Sequence, residues 1–95
     1  MRNMEQMQAI AALGALGQVT RLQLYRLLRD QGAAGMSAGN IAERLGLAPS
    51  SLSFHLTQLV QAGLITQKRS GRQLIYATAR GAVGELRKYL AELAR

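Results

Sequence analysis

The run from Ala48 to Ile65, followed at once by a short cationic run, constrains this chain more than any other stretch. Proline at position 49 suits the first residue of a helix, where its missing N–H would have been unpaired anyway. Wound at about 100° per residue from there, Leu52, Leu56, Leu59 and Val60 gather on one side, and Gly63 closes the helix. The opposite side carries Ser50, Phe54, Thr57, Gln58 and Gln61, with Ser51, Ser53 and His55 on the flanks. Beyond Gly63 the period changes. Ile65, Leu74, Ile75 and Tyr76 belong to two short runs rich in β-branched and aromatic residues, and Lys68, Arg69, Ser70, Gly71 and Arg72 separate them. The Ser-Gly pair in that separator is a hairpin turn signal.

The flanking segments keep the helical period. Met4, Met7, Ile10, Ala11 and Leu13 predict a first amphipathic helix that loosens at Gly14 and Gly17. A second begins at Thr20, runs through Leu22, Leu24, Tyr25, Leu27 and Leu28, and ends near Gly32, with Arg21, Arg26 and Arg29 on its wet side. Gly32 to Gly35 reads as a flexible break. Ser37 is placed to cap a short third helix through Ile41, Ala42 and Leu45, which Gly46 stops. The last helix carries Ala82, Val83, Leu86, Tyr89, Leu90 and Leu93 at spacings near three and four. The expected fold is therefore mainly α with a small β-hairpin, in the order helix, helix, helix, helix, hairpin, helix. A length of 95 residues with 48% hydrophobic content suits a single domain, residues 1–95, around one core.

Charge narrows the partner. A formal net charge of +7, spread over the chain with acids interspersed, describes a folded basic surface whose natural partner is a polyanion. No apolar run reaches the roughly 20 residues that a membrane span needs, so a soluble, cytoplasmic protein is expected. The short third helix, tight glycine link, Ser-rich fourth helix and basic hairpin together form a winged helix-turn-helix. Small hydroxyls at a helix front let the backbone approach base edges and phosphates, and the partial positive charge of that terminus favours a phosphate. The DNA-reading residues expected on the recognition helix are Ser50, Ser51, Ser53, Phe54, His55, Thr57 and Gln58. From the wing they are Lys68, Arg69 and Arg72. Taken singly, a polar helix face or a basic hairpin tip is often only solvated, and the order of the pieces is what carries the reading.

A family resemblance follows from the same residues. Gly17-Gln18-Val19-Thr20-Arg21-Leu22, Ile41-Ala42-Glu43-Arg44-Leu45-Gly46-Leu47, Leu52-Ser53-Phe54-His55-Leu56, Ala62-Gly63-Leu64-Ile65 and Gly71-Arg72-Gln73-Leu74-Ile75-Tyr76 resemble the ArsR/SmtB family of bacterial winged-helix repressors. The Leu-Ser-Phe-His-Leu string looks closest to its arsenic-responsive branch. The resemblance implies a homodimer built from the first and last helices, bound to an imperfect inverted repeat and released by an inducer.

A dimer is also expected from the residues themselves. Met4, Met7, Ile10 and Ala11 on the first helix and Leu86, Tyr89, Leu90 and Leu93 on the last are more apolar surface than so small a core needs. A two-fold dimer presents its recognition helices about one DNA turn apart, or a multiple of it, hence a near-palindromic operator.

The sensor departs from the family pattern. The arsenic branch carries neighbouring cysteines at the end of the last helix, and other members carry them at the start of the third, yet this chain contains none. Without thiolates there is no soft ligand set for trivalent arsenic, and no metal site or cofactor is expected. Weaker ligand sets are the Met1, Met4 and Met7 thioethers, the lone His55, and Glu85 with Glu92, each of which reads more simply as packing, DNA contact or a soluble helix face. An unidentified small-molecule or metal inducer is left open. No phosphate loop, dinucleotide fingerprint or nucleophile-base constellation is present, so the chain is not expected to be an enzyme. The competing reading is a winged-helix module that uses the same face for a protein partner or RNA.

Overall fold

The computed structural model describes residues 4–95. Its elements are α1 (Gln6–Leu16), α2 (Val19–Gln31), β1 (Met36–Ser37), α3 (Ala38–Leu45), α4 (Pro49–Gln61), β2 (Ile65–Ser70), β3 (Gln73–Thr78) and α5 (Ala82–Leu93). Local chemistry explains most boundaries. The Gln18 side chain accepts from the Arg21 backbone N–H at 2.9 Å and caps α2, and Ser37 Oγ accepts from the Asn40 N–H at 3.2 Å to cap α3. Gly46 ends α3 in the left-handed conformation, φ 65°, and Pro49 opens α4.

The large side chains of the core come mainly from α2, α3, α4 and the sheet. Leu24 and Leu28 of α2, Ile41 of α3, Leu52, Leu56 and Leu59 of α4, and Leu64 and Ile65 at the root of the hairpin are all buried. From α5 only Leu86 joins them, at 5% exposure. It therefore leaves the set of residues that can meet a partner: it is core of its own chain.

Helix α1 keeps its large apolar residues on the outside, where a partner chain was expected to meet them. Its buried residues are Ala9, Ala12 and Ala15, whereas Met7, at 72% exposure, Ile10, at 53%, and Leu13 face outward. The two stripes lie on nearly opposite sides of the helix. It is apolar on both faces, small toward its own core and large toward solvent.

The Gly32 to Gly35 segment is an ordered turn, not a flexible break. The Gly35 N–H donates to the Gly32 carbonyl at 3.0 Å, and the chain then pairs β1 onto β3, with Met36 opposite Tyr76 and Ser37 opposite Ile75. Gly35 sits at φ 71°, and a Cβ there would stand 2.5 Å from the Tyr76 carbonyl oxygen. Only glycine permits that approach. The hairpin thus becomes a three-stranded antiparallel sheet in the order β1-β3-β2.

Candidate nucleic-acid interface

Helix α4 presents two sides with opposite chemistry. Its leucines are in the core, while Ser50, Ser51, Ser53, Phe54 and Thr57 are exposed. The front of the helix is open: Ala48 stands at the N-cap and supplies no side-chain hydrogen bond. The first-turn N–H groups, less the one that Pro49 lacks, therefore have no side-chain cap and can serve an anion from outside. Phe54 is 58% exposed, and its ring meets that of His55 edge-on at 5.6 Å between centroids.

Three of the expected readers are placed differently from the front group. Thr57 Oγ1 donates to the Ser53 carbonyl at 2.9 Å, so its hydroxyl proton is turned onto its own helix. Gln58 is half-buried and lines the cleft between α1 and α4 with Ala11, Gly14, Ala15, Gln61 and Ala62. His55 is half-buried too, with Nδ1 3.2 Å from Arg21 Nη1. Burial first, and the Arg21 guanidinium second, push its imidazole below the ordinary histidine value.

Arg21 is the residue that periodicity misplaces. Expected on the wet side of α2, it is half-buried, and its Nε donates to the Ala15 carbonyl at 2.8 Å while Nη1 reaches His55. Its partner lies 34 residues away, beyond anything a local pattern reports.

The wing differs from a simple loop of cations. Strands β2 and β3 run to Ser70 and from Gln73, leaving only Gly71 and Arg72 in the turn. Gly71 has φ 63° whereas Arg72 has no positive φ, which is the sign pattern of a type II′ hairpin. Lys68 and Arg69 are strand residues, opposite Ile75 and Leu74, so the pleat sends their side chains to opposite faces. On the Arg69 face, Tyr76 donates its hydroxyl to Gln67 Oε1 at 3.1 Å. Lys68, Arg69 and Arg72 are all exposed, and none forms an ion pair among the described residues.

Comparison with known proteins decides the family. A helix-turn-helix domain model matches residues 16–68, more than half of the chain. The chain is 33% identical over 79 residues to the HTH-type transcriptional regulator YgaV of Escherichia coli (strain K12), covering 83% of this chain and 78% of that one. It is an ArsR/SmtB-family winged helix-turn-helix regulator. The transcriptional repressor SdpR of Bacillus subtilis (strain 168) is 35% identical over 63 residues, 66% of this chain and 67% of the repressor. Among solved structures, the homodimeric winged helix-turn-helix DNA-binding domain Mb0332 from Mycobacterium bovis, a possible ArsR-family transcriptional regulator, is similar with TM-score 0.75 and 26% identity, covering 99% of this chain and 90% of that one. These relatives of the regulator are transcription factors rather than enzymes.

Among the described residues no three His, Cys, Asp or Glu side chains come together. Glu85 and Glu92 each face a cation one turn on, Lys88 at 3.4 Å and Arg95 at 3.1 Å. Met1 lies outside the described residues, and Met7 points away from the core. No described helix is long and apolar enough to cross a membrane.

Proposed function

We propose that two copies of the chain associate through α1 and α5, bind an inverted-repeat operator as a repressor, and leave it when an inducer binds at the dimer seam. The observation that carries the reading is the open front of α4, with Ser50, Ser51, Ser53 and Phe54 exposed, leading through Gly63 into a wing whose Lys68, Arg69 and Arg72 have no acidic partner among the described residues. The front group enters the major groove and reads base edges, with Phe54 against a thymine methyl; the wing cations take phosphates. Thr57, Gln58 and His55 stand behind this front as supports of the helix. A repressor on operator DNA works in the cytoplasm.

The outward stripe of α1, Met7, Ile10 and Leu13, and the exposed Leu90 and Leu93 of α5, at 40% and 66%, supply the dimer face. Met4 and Tyr89, both half-buried, stand at its edge, and Ala11 is exposed beside the stripe. With no cysteine among its 95 residues, this chain supplies no thiolates to hold trivalent arsenic.

The test is fluorescence anisotropy of a duplex from the promoter beside the regulator's own gene, against a scrambled duplex, over a salt series. The expected result is discrimination of about a thousandfold or more and a steep fall in affinity with salt. Equal affinity for the two duplexes overturns the reading, and a fluorescent reporter on the promoter separates repression from activation.

A further inference from the structure

Arg21 joins two helices that the proposed function uses for different purposes. The Ala15 carbonyl lies in the last turn of α1, among the carbonyls that an α-helix leaves without an internal partner, and Arg21 Nε donates to it at 2.8 Å. The same guanidinium meets His55 Nδ1, on α4, at 3.2 Å. A guanidinium donates only and does not lose its proton, so Nδ1 must be the acceptor. The bond therefore fixes the tautomer: the ring proton sits on Nε2.

We propose that Arg21 is a positioning residue for DNA reading, a strut that ties the recognition helix to the end of the dimer helix and holds only while His55 is neutral. The proposal rests on the reading of α4 as the DNA-contacting helix. An imidazolium has two donors and no acceptor, so protonation removes the bond and sets a second cation against the first. Among the described residues no carboxylate relieves that. The charged group facing His55 is Arg21 itself, from α2; α1 contributes the neutral Ala15 carbonyl to the cluster, and α4 contributes the edge of Phe54. Arg21 forms no ion pair with a carboxylate among the described residues. The depressed basicity of His55, from burial and then from Arg21, agrees with this geometry.

The sign of the pH dependence distinguishes a strut from a simple contact. A histidine that only faces phosphates binds DNA better when protonated, so affinity would rise on acidification. A strut predicts the reverse, a fall of about tenfold toward the acid end, the worth of one charge-assisted hydrogen bond.

The experiment measures promoter affinity at fixed ionic strength from about pH 8 to about pH 5.5, across the ordinary histidine range, for the intact dimer, Arg21→Gln and His55→Asn. Asparagine offers a neutral acceptor near the place of Nδ1, so His55→Asn should show flat affinity across the range. Arg21→Gln should lose about tenfold at the alkaline end and lose the acid fall as well. In parallel, the imidazole nitrogen resonances should show the Nε2–H tautomer in the intact protein and a mixture of tautomers in Arg21→Gln. That readout needs no DNA. Affinity that rises on acidification, or an Arg21→Gln variant that keeps both the tautomer and the affinity, overturns the strut while leaving operator discrimination intact. Loss of operator discrimination in the intact protein instead overturns the functional reading, and the tautomer still decides whether Arg21 orients the ring.

Discussion

Helices α1 and α4 are both rich in small and apolar residues, yet they bury opposite halves of that content. Helix α4 turns Leu52, Leu56 and Leu59 inward and serines outward. Helix α1 turns Ala9, Ala12 and Ala15 inward and Met7, Ile10 and Leu13 outward. An alanine face lets a helix lie close against its neighbour but removes little apolar area from water; the larger area is left for something else to cover. The location of the large residues, more than hydrophobicity in general, separates a helix that serves its own core from one that leaves its larger apolar area uncovered, as the proposed dimer requires.

Substitutions at equivalent depths can break this contrast. The largest effect is expected at Leu56→Ala, which should cost about 2–5 kcal/mol of unfolding free energy in denaturant titrations. Met7→Ala should leave the stability of a separated protomer nearly unchanged; a large loss there would mean that the Met7 stripe, like the alanine face, packs on its own chain. Ile10→Asp comes next. It should yield a folded monomer in sedimentation equilibrium and lower promoter affinity by about a hundredfold, since one recognition helix then acts without its mate. On α4 and the wing the effects are smaller and differ in kind. Phe54→Ala should lose about 1–2 kcal/mol of discrimination between promoter and scrambled duplex, whereas Arg72→Ala should weaken both alike and reduce the salt slope by about one phosphate. Uniform loss from Phe54→Ala would remove it from base reading. A small effect is expected on the pH dependence of folding. Because His55 binds its proton less tightly folded than unfolded, its contribution is complete above the ordinary histidine value and declines as pH falls through the depressed one. Thermal unfolding of His55→Asn should lack that decline.

Much of the molecule was legible in the sequence because its signals are local. Pro49, Gly46 and Ser37 mark ends by chemistry confined to one or two turns, and the leucine spacing of α4 reports its buried side directly. The ArsR/SmtB resemblance was legible as well, through motifs that run in chain order. What escaped depends on partners distant in sequence. Strand β1 is a two-residue segment, too short for any alternation, and it exists because β3 offers Tyr76 and Ile75 to pair with. The burial of Leu86 and the exposure of Leu90 sit on one apolar stripe of α5 that periodicity cannot divide. Arg21 and His55 read as two polar residues on two surfaces until the fold sets them together. The wing cations were visible, whereas their distribution over opposite faces required the register of β2 on β3.

Strand β1 has a mechanical consequence. Ser37 ends the strand that is paired to the wing and also caps α3, so the helix-turn-helix and the wing share a residue and not merely a linker. In the proposed complex this shared residue sets the distance between the two contact points on DNA, like the jaws of a caliper. A protein that does not adjust its own span leaves the adjustment to the duplex, and sequences whose groove width already fits the gauge bind at lower deformation cost. In the proposed complex, base pairs that no side chain touches would thus enter the choice of operator through their stiffness.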